Sequence, residues 1–255
     1  MISNNKKFLT GILIAISLVF IGTIAANAQV SMPSINISMG SADSPAEFSK
    51  GLQILIWLTV LTIAPSIIIM TTSFTRIVIV LSLVRQAMGT AQLPPSQVIV
   101  GLSLILTFFV MAPTINEVNT KAFQPYMSNQ ITQQAALKIG IEPLRQFMFK
   151  QTDEKDLALF VRMAKIPNPK TRVDVPTYVL IPSFIISELK TAFKIGFMIF
   201  IPFLIIDIVV ASILVSMGML FLPPPMIAMP FKIILFVMID GWHLVAQSLV
   251  EGFVK

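Results

Sequence analysis

Apolar residues in this chain gather into blocks longer than a globular core requires, separated by polar stretches of very different character. Leu52 to Met70 is apolar apart from Gln53, Thr59, Thr62 and Ser66, and Val98 to Ile115 forms a second block. At ~1.5 Å per residue each is long enough, as a helix, to cross a hydrocarbon core. Tyr178 to Leu222 is a third block of about 45 mostly apolar residues, far beyond the ~20 that one crossing needs, so it has to bend, break or protrude. Pro182 and Pro202 lie inside it, where each removes a backbone bond and kinks a helix. Pro223-Pro224-Pro225 forces a turn, and Met226 to Val250 returns as a last long helix.

The polar stretches divide the chain. Residues 1–28 carry Lys6 and Lys7, the apolar run Phe8 to Ile24 and the small-residue site Ala26-Asn27-Ala28, the three parts of a signal peptide cleaved after Ala28. An uncleaved first span is the alternative. Residues 29–50 have no apolar period and read as a flexible leader. Residues 51–115 make a first helical hairpin whose connecting loop holds Arg76, Arg85 and Pro94-Pro95 but no acid, which marks that loop as cytoplasmic. Residues 116–178 collect nine basic and six acidic side chains and read as a small helical insert. Its best helix is capped by Thr152, opens with Asp153 and Glu154 and closes near Arg162 and Lys165, with Pro167 and Pro169 beyond. With the mature N-terminus on the outer face of the cytoplasmic membrane, the insert is periplasmic. Residues 179–255 make the second hairpin.

Composition agrees with lipid, or close protein neighbours, as the solvent: 55% of the 255 residues are hydrophobic and 12% charged, and the mean hydropathy is +0.86. The formal charge of +6 does not point to nucleic acid, because half of the basic residues sit in the insert among acids. The absence of cysteine excludes disulfides and thiolate metal sites.

Chemistry is sparse. No Gly-rich phosphate loop ends in Lys and Ser or Thr. His243 is the only histidine and has no partner at ligand spacing, so no metal and no cofactor is expected. Ser187-Glu188 and Asp207 lack the G-x-S-x-G elbow or paired acid of a hydrolase, and the chain is not read as an enzyme. What stands out is charge within the apolar helices: Glu188, Lys190, Lys194, Asp207, Lys232 and Asp240. A central Asp or Lys costs about 2.5 to 3.5 kcal/mol on insertion scales, so each should face a partner or a water-filled path. In a plain hairpin turning at Pro224, Asp207 lies about seventeen residues back and Lys232 about eight forward, an offset of roughly 13 Å. Within one ideal hairpin they cannot pair, so the sequence asks for a helix break near Pro202 or for a partner on another subunit. Met217, Met219, Met226 and Met229 crowd the triple proline, as ordinary core filling or as a deformable seal. Ala192-x-x-x-Gly196 and Ser212-x-x-x-Ser216 permit close helix contact.

Two pairs of blocks carry a resemblance. TSFTRIVIVLSLVRQAMGT (72–90) with FFVMAP (108–113), and SELKTAFKIGFMIFIPFLIIDIVVASIL (187–214) with MPFKIILFVMIDGW (229–242), closely resemble the FliP/SctR family of type III export-gate proteins, the signal peptide pointing to the flagellar branch. The resemblance implies an all-α membrane protein of two long kinked hairpins with a helical insert, multi-pass in the bacterial inner membrane within the flagellar basal body. It also implies a homo-oligomer, a pentamer, joined by FliQ and FliR into a helical pore on which FlhB and FlhA dock, assembled with the help of FliO. Unfolded flagellar subunits would pass through that pore. The family's gate, a methionine run before a double proline, falls on Met217, Met219, Leu220, Phe221, Pro223 and Pro224, where Leu and Phe replace two methionines. Glu188, Lys190, Asp207, Lys232 and Asp240 then carry assembly and pore architecture. A rival from another class is an ion- or proton-coupled secondary transporter, motivated by Asp207, Lys232 and the proline-broken helices, though no inverted repeat is visible.

Overall fold

The computed structural model describes residues 45–254 apart from 91–92, 168, 170 and 220; the signal peptide, most of the leader and Leu220 lie outside the described residues. The chain divides into one unit ending at Leu55 and a second, compact one from Ile56 onward. Among the described residues every regular element is helical.

Helix α1 runs from Pro45 to Met70, starting within the stretch expected to be an unstructured leader. It is apolar on all sides, and its side chains from Leu52 to Met70 are almost all exposed, the signature of a helix that meets lipid or other chains. α2 spans Phe74–Ala87, where the sequence reading placed a loop. Its apolar residues explain the helix. Ile77, Val80, Leu81, Val84 and Ala87 repeat at three- and four-residue spacing, and all are buried. The absence of acids around Arg76 and Arg85 suited a cytoplasmic loop, but the 3.6-residue period was the stronger signal.

α3, Ser96–Val118, does not stop at the polar boundary near residue 115. It continues through a π-turn, Asn119–Phe123, into α4, Gln124–Met127, a continuous helical rod of 32 residues, about 48 Å long and apolar up to Ile115. The insert is completed by α5, Gln133–Gln151, and α6, Glu154–Met163. The cap of α6 is Asp153, one residue later than expected, with Oδ1 accepting from the Lys155 N–H. A 3₁₀ turn at Arg172–Asp174 leads into α7.

α7 is a single helix of 40 residues, Thr177–Ser216, with Pro182 and Pro202 inside it, about 60 Å long and twice a hydrocarbon thickness. α8 spans Pro224–Met238 and α9 Gly241–Val254. The return expected as one helix from Met226 to Val250 is therefore two, bent by 63°. Asp240 makes the break: at φ +51°, it takes the left-handed conformation that ends helices and that Asp tolerates better than most residues. Its N–H bonds the Val237 carbonyl while its own carbonyl accepts from Leu244 to start α9. Gly241 is required beside it, since a Cβ there would lie 2.3 Å from the Phe236 ring.

Two cores hold the compact unit. The larger gathers α2 with Ile99 of α3, Ala192 and Phe203 of α7, Phe236 of α8 and Val245, Leu249 and Phe253 of α9. Ala192 and Gly196, the small-xxx-small pair, lie where α7 meets α2; a Cβ on Gly196 would reach within 2.2 Å of Leu83 Cδ1. The smaller core packs Met148, Phe149 and Val161 of the insert on Val175, Val179, Leu180 and Phe184 at the start of α7. The insert is thus mounted on the first turns of the long helix, and the loop after Ser216 is carried at its far end.

Candidate functional site

Charged residues and the expected gate residues form three groups, two of them at the level of Glu188 and Lys190 and the third toward the far end of α7. At its root, Lys190 reaches the insert: its Nζ lies 3.0 Å from Asp153 Oδ2 and 3.5 Å from Asp156 Oδ1. Ser187 donates to Asp156 and accepts from the Asp153 N–H. The Lys155 N–H and the Lys190 ammonium, in that order, hold the Asp153 carboxyl below the ordinary carboxylate range. A depressed carboxylate stabilises above its unfolded pKa and loses that contribution as pH falls through the lower, folded value. Acidification below about pH 4 is therefore expected to loosen the α6 cap, seen as faster proteolysis between residues 153 and 163. Asp153→Asn, which keeps the cap acceptor but not the charge, should remove that pH step; an unchanged step would assign it to another group.

The second group lies deeper. Arg76 of α2, expected in a loop, is 3% exposed and Glu188 of α7 is fully buried. Their pairing is bidentate: Nε donates to Oε2 at 2.8 Å and Nη2 to Oε1. Nη2 also donates to Gln151 Oε1 at 2.9 Å and Nη1 to the Gly252 carbonyl at 3.2 Å. One guanidinium so joins α2, α5, α7 and α9. Such a planar fork can hold a buried carboxylate and still spare donors. Arg85, its companion in the sequence reading, is also on α2 and donates to the Pro94 carbonyl and to Ser96 Oγ, fastening the turn into α3.

The third group stands near the tip. Lys232 of α8 is 5% exposed and its Nζ lies 2.6 Å from Asp207 Oδ2 of α7, within the same chain. This corrects the expectation of a 13 Å offset. α7 ends at Ser216 and does not run to Leu222, so Asp207 is nine residues from the end of one helix and Lys232 eight from the start of the next. Residues 217–219 and 221–223 lie outside the helices at the tip, and no break near Pro202 is needed. Asp207 Oδ1 is buried without a hydrogen-bond partner among the described residues. Asp240 is not within an apolar helix at all: it is exposed, in the α8–α9 turn.

Around the tip, Met217 closes α7 and is exposed, Gly218 turns at φ +72°, Met219 is exposed, Phe221 wholly so, and Pro223 and Pro224 cap and open α8. Leu220 lies outside the described residues. The tip therefore presents an apolar loop with nothing from the chain's own described residues covering Phe221. The described residues hold no group of three or more His, Cys, Asp or Glu placed for a metal ion. His243 is exposed in the first turn of α9.

Sequence reasoning missed Gln151, Phe147 and Phe253. Phe253 lies under the Arg76 guanidinium at 3.8 Å and stacks on Phe147 at 6.1 Å; no motif marks these residues, because their meeting requires α5 and α9 to be brought together.

Comparison with known proteins places this arrangement. Residues 57–249 match the family model described as the FliP family. The chain is 54% identical over 217 residues to the flagellar biosynthetic protein FliP of Bacillus subtilis (strain 168), covering 85% of this chain and 98% of that protein. It is 48% identical over 240 residues to that of Pectobacterium carotovorum subsp. carotovorum, covering 94% and 92%. With the protein of the same name from Aquifex aeolicus (strain VF5) it shares 48% identity over 224 residues, 87% of this chain and 92% of that one.

Proposed function

The chain belongs to the FliP family, and from that premise we propose that it is a core subunit of the flagellar type III export gate, lining the channel through which unfolded flagellar proteins cross the inner membrane. The observation that carries this reading is surface. Among the described residues three helices are long and apolar enough to cross a membrane, four if the bent α8–α9 pair is one span, and Phe193, Phe197, Met198, Leu204, Ile205 and Ile208 along α7 all stay exposed in the single chain. An apolar helix twice as long as the hydrocarbon core is thick cannot satisfy its whole length with lipid tails. It needs neighbours. Further copies, five in all, together with FliQ and FliR would cover α7, with FlhB and FlhA docked on the assembly and FliO assisting it. In that assembly the insert is periplasmic and the mature N-terminus lies on the same side. Met217, Met219, Leu220, Phe221, Pro223 and Pro224 form the gate, and the chain opens a path without turning over a substrate.

The secondary-transporter reading is less well supported. Both acids of α7, the buried Glu188 and the half-buried Asp207, are already bonded to bases of the same chain, so neither is a free relay carboxylate, and no inverted repeat accompanies them.

Deleting the gene is expected to abolish export of rod and filament proteins while general secretion continues, with restoration by a plasmid copy; export that persists would end the proposal. Met219, Leu220 and Phe221 replaced together by alanine should raise ion conductance in membranes carrying the overproduced complex at least several-fold, and unchanged conductance would remove the sealing role.

A further inference from the structure

The last turn of α9 ends in carbonyls that no later residue of that helix can satisfy, a deficit common to all helix C-termini. Here two of them are met from elements remote in sequence. Gly252 O accepts from Arg76 Nη1 at 3.2 Å, and Phe253 O accepts from Gln151 Nε2 at 3.1 Å. Gln151 Oε1 in turn accepts from Arg76 Nη2 at 2.9 Å. The three bonds close a loop through Arg76 of α2, the final residue of α5 and one dipeptide of α9. The Phe253 ring seals it, held between the guanidinium at 3.8 Å and the Phe147 ring, which meets Phe184 of α7 edge-on at 5.9 Å.

We propose that Arg76 and Gln151 are positioning residues that together cap α9 from outside it, so that the C-terminal turn and the end of the insert seat or release as one unit. The chemistry at position 151 is narrow. The side chain accepts on one side and donates on the other, which an amide does and a carboxylate does not. A glutamate would still accept from Arg76 but would turn an oxygen toward the Phe253 carbonyl. At position 76 a lysine would keep the charge and lose the planar fork that serves Glu188, Gln151 and Gly252 together. Glu188 anchors Arg76, but Gln151 is what makes the insert and the C-terminal turn depend on each other. The consequence reaches the tip, because α9 is joined to α8, and α8 carries Lys232 and the loop that precedes it. This inference uses the fold alone and stands or falls apart from the export reading.

Amide hydrogen exchange on the purified full-length protein tests it. In Gln151→Glu and Gln151→Leu, a peptide covering residues 249–253 should exchange about fivefold faster, the effect of losing the partly buried hydrogen bond to the Phe253 carbonyl. A chain ending at Glu251 should show the reciprocal effect, faster exchange in residues 144–151. Combined with Gln151→Leu, that truncation should add less than about twofold to the exchange of 144–151, since each change breaks the same loop. Wild-type exchange at 249–253 in both Gln151 variants overturns the proposal, as does a combined effect equal to the product of the two alone. If Gln151→Leu unfolds, shown by loss of protection in residues 77–84, the near-isosteric Gln151→Glu decides by itself.

Discussion

Arg76→Leu is expected to leave little folded protein in the membrane fraction. The substitution strands Glu188, which is fully buried and takes both of its hydrogen bonds from Arg76. Breaking one side of such a pair costs about 3 to 5 kcal/mol, because the remaining charge keeps its desolvation penalty and loses its compensation, and that is comparable to a large part of a domain's whole stability. The severity can be separated from loss of size by pairing substitutions. Arg76→Met with Glu188→Met removes both charges and keeps apolar volume, an exchange that is often neutral or stabilising for buried ion pairs. The double variant should accumulate at least several-fold more protein than Arg76→Leu, by quantitative blot of washed membranes, without regaining the contacts to Gln151 and Gly252. A double variant as depleted as the single one would show that the guanidinium matters chiefly for those other bonds.

The pair nearer the tip should behave asymmetrically. Lys232 is almost wholly buried, whereas the Asp207 side chain is about one-third exposed, 6% against 34%. Asp207→Ala strands an ammonium in an apolar setting, and a penalty of about 2 to 3 kcal/mol follows, less than for a fully enclosed pair because the Asp207 side chain is partly exposed. Lys232→Met leaves a carboxylate that can rehydrate and fills the lysine's volume with an unbranched apolar chain, at a cost of about 1 kcal/mol or less. Native-gel assembly of the membrane complex and swimming radius should therefore fall far more for Asp207→Ala than for Lys232→Met. Exchange of the two charges, Asp207→Lys with Lys232→Asp, should recover part of the loss. Equal defects in the two single variants, with no recovery in the exchange, would place the partners of these residues on other subunits and not on each other.

Both arguments rest on partners that could be named only once the helices were placed. The apolar blocks gave the helices themselves with little ambiguity, because a run as long as Tyr178–Leu222 has one way to satisfy its backbone in an apolar solvent, which is to bond internally. The proline cluster at 223–225 fixed the turn. In the α2 segment the two arginines without acids suit a loop, while the buried period through Ile77, Val80, Leu81 and Val84 makes it a helix. The α8–α9 break was missed for a different reason. A single Asp-Gly in an apolar run is a weak signal, and its decisive element, the Phe236 ring occupying the space of a Cβ on Gly241, is a tertiary contact. The proposed gate residues come only from a family's pattern; the exposure of Met217, Met219 and Phe221 belongs to the folded chain.

What the sequence determined by itself was therefore the helical class, the apolar blocks long enough to cross a membrane and the kinship of the chain, all properties that depend on local composition and order. Which charge meets which was decided by the tertiary structure. The offset between Asp207 and Lys232 depends on where α7 ends, and the difference between Leu222 and Ser216 is six residues, about 9 Å of helix. Ion pairing is a matter of a few ångströms, and a chain shows that length only after its helices have stopped.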